Sequence, residues 1–176
     1  CARKKVVVCL VWAAIVVSAT ANARTLYVKA DGTGDGSSWA AAGELQATVD
    51  AATANDEVWV AEGVYTGSGD WALTVSSGCK LYGGFDGTET SLEQRDWNAH
   101  RSIIDGENER GGVYVETKAA LLDGFTIQNG YTVAGGGLYT HYVMATLRHC
   151  DFIMNRAGYG GGVYLQSGLA TGIDIA

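Results

Sequence analysis

Apolar and glycine positions in the second half of the chain repeat with one period. A Gly-Gly-aliphatic-Tyr segment occurs three times at intervals of 25 residues, at 111–114, 136–139 and 161–164. A second pattern has the same interval, because LLDGFTI at 121–127 corresponds to TLRHCDF at 146–152. Two independent patterns with one period predict a stacked array of repeats, in which Leu122 of one repeat lies beside Leu147 of the next.

The spacing of apolar residues inside each repeat predicts the shape of one coil. Leu122, Phe125 and Ile127 are three and then two positions apart, whereas residues on one side of a flat strand are always two apart. The extra residue is Gly124 in one copy and His149 in the next, and both residue types tolerate positive φ. Two short strands that meet at such a bend, followed by a glycine-rich turn and a third strand, form one coil of a parallel β-helix.

A helical pattern precedes the coils. Leu45, Val49 and Ala52 occupy positions i, i+4 and i+7, which form one apolar stripe of a short helix. The open end of a solenoid exposes core and unpaired backbone, so it needs a cap, and this helix is suited to that role. We therefore predict an all-β fold, with an N-terminal strand, turn and capping helix at 24–57 and parallel β-helix coils at 58–176.

Residues 1–23 have the three parts of a secretory signal peptide. A basic start at 3–5 precedes an apolar run at 6–17, and Ala21 and Ala23 are placed as in an A-x-A cleavage site. The apolar run of 12 residues is too short to cross a bilayer, which takes about 20 residues. We therefore predict that the chain is exported and that its mature part has no transmembrane span.

Composition adds constraints on turns, partners and thiols. The chain of 176 residues contains 25 glycines and no proline, which suits a fold with many tight turns. Without the predicted signal peptide, nine basic residues stand against 19 acidic ones, a net charge of −10. Such a surface repels phosphate and argues against nucleic acid as a partner. Cys79 and Cys150 remain, and Cys150 lies between apolar repeat positions, so we expect it to be a buried free thiol.

Three segments resemble right-handed parallel β-helix proteins of bacterial surfaces: TLYVKADGTGDGSSWA, GGFDGTETSLEQRDW and GGGLY…ATLRHCDFIMNRAGYGGGVY. They are similar to secreted pectin-lyase-like repeat proteins and to adhesins of the polymorphic outer membrane protein type, which pair Gly-Gly-aliphatic with Phe-x-x-Asn repeats. FIMN at 152–155 fits the second pattern, whereas FTIQN at 125–129 has one residue too many. The resemblance implies a right-handed β-helix at a bacterial cell surface, in the outer membrane or outside the cell. It implies no single activity, because one scaffold hosts many functions.

We expect the sequence to be a fragment of a longer reading frame. It begins with Cys rather than Met, and it stops at GLATGIDIA directly after the third repeat, without a polar cap. Further coils and any anchoring domain would then lie outside it.

Asp31 and Asp35, in DGTGDGS at 31–37, are the candidate metal ligands. Calcium loops supply oxygen ligands at alternate positions, but only these two aspartates fall in place here, with glycine between them. A tight turn after the strand TLYVKA explains the same residues without a metal. Calcium is the one cofactor that the sequence suggests, and no other is expected.

Asp123 and Arg148 are the candidate catalytic residues. They occupy equivalent positions one repeat apart, so in a β-helix their backbones would be about 4.8 Å apart. The resemblance to pectin-lyase-like proteins implies acids on neighbouring coils that hold calcium, and an Arg or Lys that acts as base. The sequence offers one acid beside one base, and we interpret the pair as an exposed ion pair worth at most about 1 kcal/mol.

The sequence assembles no catalytic constellation, so the leading hypothesis is a binding or adhesive scaffold whose partner is a polysaccharide or a host or cell-surface ligand. Aromatic side chains on the flank of a β-helix can stack on sugar rings. Trp71, in the glycine-rich loop GSGDW, is the candidate for exposure, whereas Trp39 and Trp97 are expected to pin loops onto the coils. The alternative hypothesis is a polysaccharide lyase or glycoside hydrolase that acts in a groove along the same flank.

Overall fold

The computed structural model describes residues 23–116 and 119–166, which form an all-β chain of parallel strands with one short α-helix. Within these ranges no helix is long and apolar enough to cross a membrane. Nearly all of the predicted signal peptide, residues 1–22, lies outside the described ranges, and so does the segment 167–176.

The described residues contain fifteen strands, the helix α1 (Leu45–Ala51) and two 3-10 helices, Trp39–Ala41 and Leu92–Gln94. The strands, in chain order, are β1 (Thr25–Val28), β2 (Glu57–Ala61), β3 (Gly63–Tyr65), β4 (Trp71–Val75), β5 (Lys80–Phe85), β6 (Ser102–Asp105), β7 (Gly111–Val115), β8 (Ala120–Asp123), β9 (Phe125–Gln128), β10 (Tyr131–Ala134), β11 (Leu138–His141), β12 (Ala145–Arg148), β13 (Asp151–Ile153), β14 (Arg156–Tyr159) and β15 (Val163–Gln166).

The strands form four separate sheets, and the paired strands of the described residues all run parallel. One sheet has the order β1-β2-β5-β8-β12, a second β3-β6-β9-β13, and a third β4-β7-β11-β15. The fourth sheet consists of β10 and β14. Neighbouring strands in a sheet are mostly far apart along the chain, as parallel pairing requires, because each return to the same sheet needs a crossover.

The predicted register between repeats is confirmed. Leu122 on β8 is the backbone partner of Leu147 on β12, and both side chains are fully buried. On the third sheet, Tyr114, Tyr139 and Tyr164 are partners in successive strands. An interval of 25 residues therefore carries each side chain to the same place on the next strand.

The predicted bends are confirmed as well. Gly124, between β8 and β9, has a φ of 85°, and His149, between β12 and β13, has a φ of 48°. A Cβ atom at Gly124 would lie 2.9 Å from the carbonyl oxygen of Gly83, so the close approach of that backbone also favours glycine there. The paired glycines have a similar reason, since a Cβ atom at Gly112 would lie 2.4 Å from the oxygen of Gly137.

One aliphatic core receives side chains from three of the sheets. Val58 on β2, Val113 on β7 and Ile127 on β9 are fully buried in it, and burying a side chain of this size contributes about 1.5–3 kcal/mol. Cys79 and Cys150 also lie in this core as free thiols, as expected for Cys150. Burial raises the pKa of the Cys150 thiol to about 11, so this sulfur is a packing group at neutral pH.

The helix predicted from the stripe Leu45, Val49 and Ala52 is confirmed, and all three side chains are buried against the core. Glu44 precedes the helix, and its carboxylate accepts hydrogen bonds from two backbone N–H groups of the first turn. The Gln46 amide binds the edge of β4: its Oε1 accepts from the N–H of Thr74 at 2.9 Å, and its Nε2 donates to the Thr74 carbonyl at 2.9 Å. The helix is thereby attached to β4 by a strand-like pair of hydrogen bonds.

A second, aromatic cluster lies on the outer side of β2 and β5. Trp59 and Phe85 stack with ring centroids 4.8 Å apart, so β2 is buried on both faces rather than on the valine face alone. Trp39 packs on Phe85, and its indole Nε1 donates to the carbonyl of Glu89 at 2.8 Å. The prediction that Trp39 pins a loop is confirmed.

Candidate binding groove

An open groove of about 1020 Å³ lies between α1, the loop 66–70 and the outer faces of β4 and β7. We call it the α1 groove and define it by the charged and aromatic side chains that line it: Glu44, Asp50, Asp70, Trp71, Tyr114 and Glu116. Clefts of this volume that carry aromatic and a few polar side chains are typical of ligand sites. The α1 groove is therefore the candidate site of the described structure.

A row of three tyrosines, Tyr114, Tyr139 and Tyr164, leaves the groove along the third sheet. Trp71 packs against the first two, and its ring centroid also lies 5.9 Å from that of Tyr139. The ring centroids of Trp71 and Tyr114 are 5.5 Å apart, those of Tyr114 and Tyr139 5.5 Å, and those of Tyr139 and Tyr164 5.8 Å. The planes of these neighbours differ by 28° or less. All four side chains are half-buried, so the row offers an apolar strip with accessible edges.

The sequence explains how this aromatic row is built. Its three tyrosines are the repeated tyrosines of the Gly-Gly-aliphatic-Tyr segments, brought into register by strand pairing. Trp71 is not part of that repeat. It lies on β4 opposite Gly111 of β7, where a Cβ atom would lie 2.2 Å from the indole ring. Glycine at 111 is therefore needed to seat Trp71. The candidate for exposure, Trp71, proves to be half-buried at the edge of a groove.

The four carboxylates of the α1 groove are exposed, and three of them accept hydrogen bonds from neutral groups. Glu44 accepts from backbone N–H groups, Asp50 accepts from Gln46 Nε2 at 2.8 Å, and Glu116 accepts from Ser76 Oγ at 2.7 Å. Among the residues described, none of the groove carboxylates is in an ion pair. Within the described ranges, the groove therefore carries four carboxylate charges that no ion pair neutralises.

The side chain of Tyr114 reflects this environment. Burial raises the pKa of its phenol, and the charge of Glu116 and the neighbouring Tyr139 raise it further. The phenol is neutral and able to donate a hydrogen bond across the physiological pH range. The groove thus combines apolar ring surface, a hydroxyl donor and carboxylate acceptors.

The candidate catalytic residues Asp123 and Arg148 lie on neighbouring strands, but their side chains have different environments. They are backbone partners on β8 and β12, but Asp123 is buried while Arg148 is exposed. Asp123 pairs with Arg95 at 2.9 Å and with His149 Nδ1 at 2.8 Å. The expected exposed ion pair between Asp123 and Arg148 is therefore wrong, because a loop outside the repeat brings Arg95 to the aspartate.

The Asp123 site is fully satisfied by its own neighbours. The Arg95 guanidinium lies over the rings of Tyr82 and Trp97, at 5.2 and 4.9 Å from their centroids. It also donates to the carbonyl of Asp123 at 3.1 Å. Trp97 stacks on His149 with centroids 4.1 Å apart, so Trp97 pins its loop as predicted. This cluster attaches a long loop to the bends. Its charged groups are already bound to one another, which leaves little hydrogen-bonding capacity for a substrate.

Asp31 and Asp35, the candidate calcium ligands, are exposed in a loop held mainly by its backbone. Gly34 N–H donates to the Ala42 carbonyl and Gly36 N–H to the Ala41 carbonyl, both at 2.8 Å. Hydrogen bonds from Ser37 lower the pKa of Asp35, and its Oδ1 accepts from the Ser37 N–H at 3.0 Å. In the described part of the chain, no group of three or more His, Cys, Asp or Glu side chains is arranged to hold a metal ion. The geometry matches the tight-turn interpretation.

Sequence reasoning missed the carboxylates of the α1 groove. Glu44 precedes α1 and Asp50 lies in its last turn. Asp70 precedes β4, and Glu116 follows β7. No local motif links these positions, and each one alone reads as a solvated surface acid. The interval between tyrosines and the position of Trp71 in the loop GSGDW were the signals in the sequence that pointed to this side of the molecule.

The function of the groove has to be inferred from its own residues. No family model matches the chain, and neither does any curated protein sequence or solved structure.

Proposed function

We propose that the parallel sheets are the faces of a right-handed single-stranded β-helix and that α1 caps its first coil. The order in which the chain visits the sheets supports this proposal. From β4 onward the chain passes from the third sheet to the first, then to the second, and back to the third, in three successive rounds. In the second and third rounds it also forms β10 and β14 of the fourth sheet before it returns to the third. The bonds between Gln46 and Thr74 occupy the edge of the third sheet at β4, as a cap would.

We propose further that the chain is an exported cell-surface or secreted scaffold that binds glycans in the α1 groove. The observation that carries this proposal is the aromatic row of Tyr114, Tyr139 and Tyr164, which starts in the groove, where Trp71 packs against its first two rings. Aromatic rings offer large, rigid apolar surfaces with polar edges, and a sugar ring has matching apolar faces and hydroxyl rims. The long row suits an extended polymer better than a compact small molecule.

The buried state of Asp123 supports binding over uronate lyase chemistry. A catalytic acid or a calcium ligand needs access to substrate or metal, and Asp123 instead has its charge paired with Arg95 and His149. Lyase or hydrolase activity in the α1 groove stays a prediction, which the same experiment tests.

The test uses the purified chain on immobilised glycans, both neutral polymers and uronates. We expect retention on at least one glycan without new reducing or unsaturated ends. Trp71→Ala should weaken that binding by roughly 2- to 12-fold, the effect of losing one aromatic contact of about 0.5–1.5 kcal/mol. Tyr131→Ala is the matched control, because Tyr131 is 58% exposed on β10 and outside the groove.

Two outcomes would contradict the binding proposal. Equal loss in the Trp71 and Tyr131 variants would place the contact outside the groove, and release of oligosaccharide ends by the wild-type chain would establish the enzyme instead. Export is tested separately by fusing residues 1–23 to a reporter that is active only outside the cytoplasm. Retention of the reporter in the cytoplasm would contradict the surface location.

A further inference from the structure

We infer that the α1 groove selects glycans that carry protonated amino groups, such as partly deacetylated chitin, over neutral glycans and uronates. This inference rests on the proposed glycan-binding function of the same groove. It concerns the chemical class of the ligand, which the aromatic row alone leaves open because every sugar ring has apolar faces.

The first argument is the sign of the charge in the groove. The helix and the strand ends place Glu44, Asp50, Asp70 and Glu116 around one cavity, and no Lys or Arg is among the described residues that line it. The carboxylates keep their charge for a ligand, since their hydrogen-bond partners within the described residues are backbone groups, an amide and a hydroxyl. A polymer with protonated amines would find a counter-charge here, whereas a uronate would meet repulsion.

Arg110, a described cation that contacts the groove wall, does not reverse this sign. Arg110 Nη1 donates to the carbonyl of Gly67 in the wall of the groove. Its Nη2, however, pairs with Glu107 at 3.1 Å and with Glu109 at 3.0 Å. One positive charge is thus set against two negative ones, and the wall adds no net attraction for an anionic ligand.

The second argument comes from the aromatic side chains themselves. The face of an indole or phenol ring carries a negative quadrupole and attracts a cation within about 6 Å. Trp71 lines the same cavity as the carboxylates. We assign the ring face to Trp71, because Tyr114 is stacked between Trp71 and Tyr139. An amino sugar can then contact the indole and the carboxylates together. Its ring packs on the aromatic surface, and its ammonium group faces the carboxylates. A neutral sugar uses the first contact only.

The experiment measures how tightly the purified full chain binds three oligosaccharides of equal length. They are deacetylated chito-oligosaccharide, its N-acetylated form, and oligogalacturonate. Calorimetry at low salt should give the deacetylated form an affinity about 10-fold above the acetylated form, and the uronate the lowest affinity. The advantage should shrink as salt rises from about 0.01 M to about 1 M, because the screening length falls from about 30 Å to about 3 Å.

Charge removal identifies the groove as the source of the selectivity. Asp50→Asn with Asp70→Asn should weaken binding of the deacetylated form by about 1.5- to 5-fold for each carboxylate lost, with the acetylated form unaffected. Glu93→Gln is the matched control, because Glu93 lies on the second 3-10 helix and outside the groove.

Each remaining outcome separates the two proposals. Equal affinity for the deacetylated and acetylated forms overturns the selectivity and leaves glycan binding in place. Absence of binding to all three overturns both proposals. Binding of oligolysine as tightly as the deacetylated glycan, with no loss in Trp71→Ala, overturns the amino-sugar assignment in favour of a basic peptide.

Discussion

The Asp123 site and the α1 groove are both acidic and aromatic, yet they are built in opposite ways. In the first, the carboxylate is buried and bound by Arg95 and His149, and the arginine is in turn covered by two aromatic rings. In the second, four carboxylates are exposed around an open cavity, and Glu44, Asp50 and Glu116 have neutral hydrogen-bond partners. Residue types alone would have ranked the two sites equally.

The difference shows which carboxylates are able to pair with a charged ligand. A buried carboxylate must be neutralised by its own fold, because an unpaired charge in a low dielectric is costly. Exposed carboxylates are kept in solvent at little cost and remain free to meet an incoming cation. The first site should therefore respond to mutation through stability and the second through binding.

The largest expected effect is at the buried carboxylate. Asp123→Ala leaves the Arg95 guanidinium, 8% exposed, without its counter-ion, and should lower the free energy of unfolding by about 3–5 kcal/mol. Arg148→Ala, the exposed backbone partner, should change it by less than about 0.5 kcal/mol. Urea denaturation measures both, and similar losses in the two variants would show that the charges are coupled in solution.

The next effect concerns the bend beside Asp123. Gly124→Ala places a Cβ atom at positive φ and 2.9 Å from both the Gly83 oxygen and Arg95 Nη1, which should cost about 1–3 kcal/mol. Gly69→Ala, in the loop of the α1 groove, is the control because its Cβ would meet nothing within 4 Å. Thermal denaturation should separate the two variants, and equal melting temperatures would contradict the close approach at the bend.

A third carboxylate extends the comparison to pH. Asp56 is buried and accepts hydrogen bonds from the Arg24 side chain at 2.7 Å and from the Thr53 N–H at 2.9 Å. The Arg24 side chain holds the pKa of Asp56 well below its usual range. Because the folded pKa is depressed, the stabilisation is complete above the unfolded value of about 3.9 and is lost as the pH falls below it.

Asp56→Asn should therefore cost about 1–3 kcal/mol at pH 7. The gap to the wild-type chain should narrow when unfolding is measured at pH values below about 3.9. A gap that stays constant over this range would mean that the Asp56 charge makes no contribution.

The smallest expected effect on stability is in the α1 groove. Asp70→Asn and Glu116→Gln should each change the free energy of unfolding by less than about 0.5 kcal/mol, since neither carboxylate is buried or paired with a cation in the described ranges. Their melting curves should overlay that of the wild-type chain. A clear loss of stability would make these acids part of the fold, as Asp123 is.

The sequence predicted well wherever one residue type answered one local geometric need. The register of Leu122 with Leu147 followed from the interval, and the bends at Gly124 and His149 followed from an extra residue that tolerates positive φ. Tyr139 was placed beside Tyr114 for the same reason. In a stacked array, a period in the sequence is a distance in space.

The partner of Asp123 could not be predicted, because it lies outside the repeat. Arg95 is in the loop between β5 and β6, 28 residues before Asp123, and no interval connects the two. The α1 groove could not be predicted for a related reason, since its walls come from a helix, a loop and two strand ends. A site that forms between a non-repeating loop and repeated strands cannot be located from intervals in the sequence.

The hydrogen bonds between Gln46 and Thr74 have a consequence for how copies of this molecule meet. A bare outer strand is a template on which a foreign strand can pair and start aggregation. At Thr74 both main-chain groups of β4 are already occupied by a side-chain amide, so a foreign strand must first displace α1. The Gln46 amide thus blocks the pairing of another strand at Thr74, on that side of the third sheet.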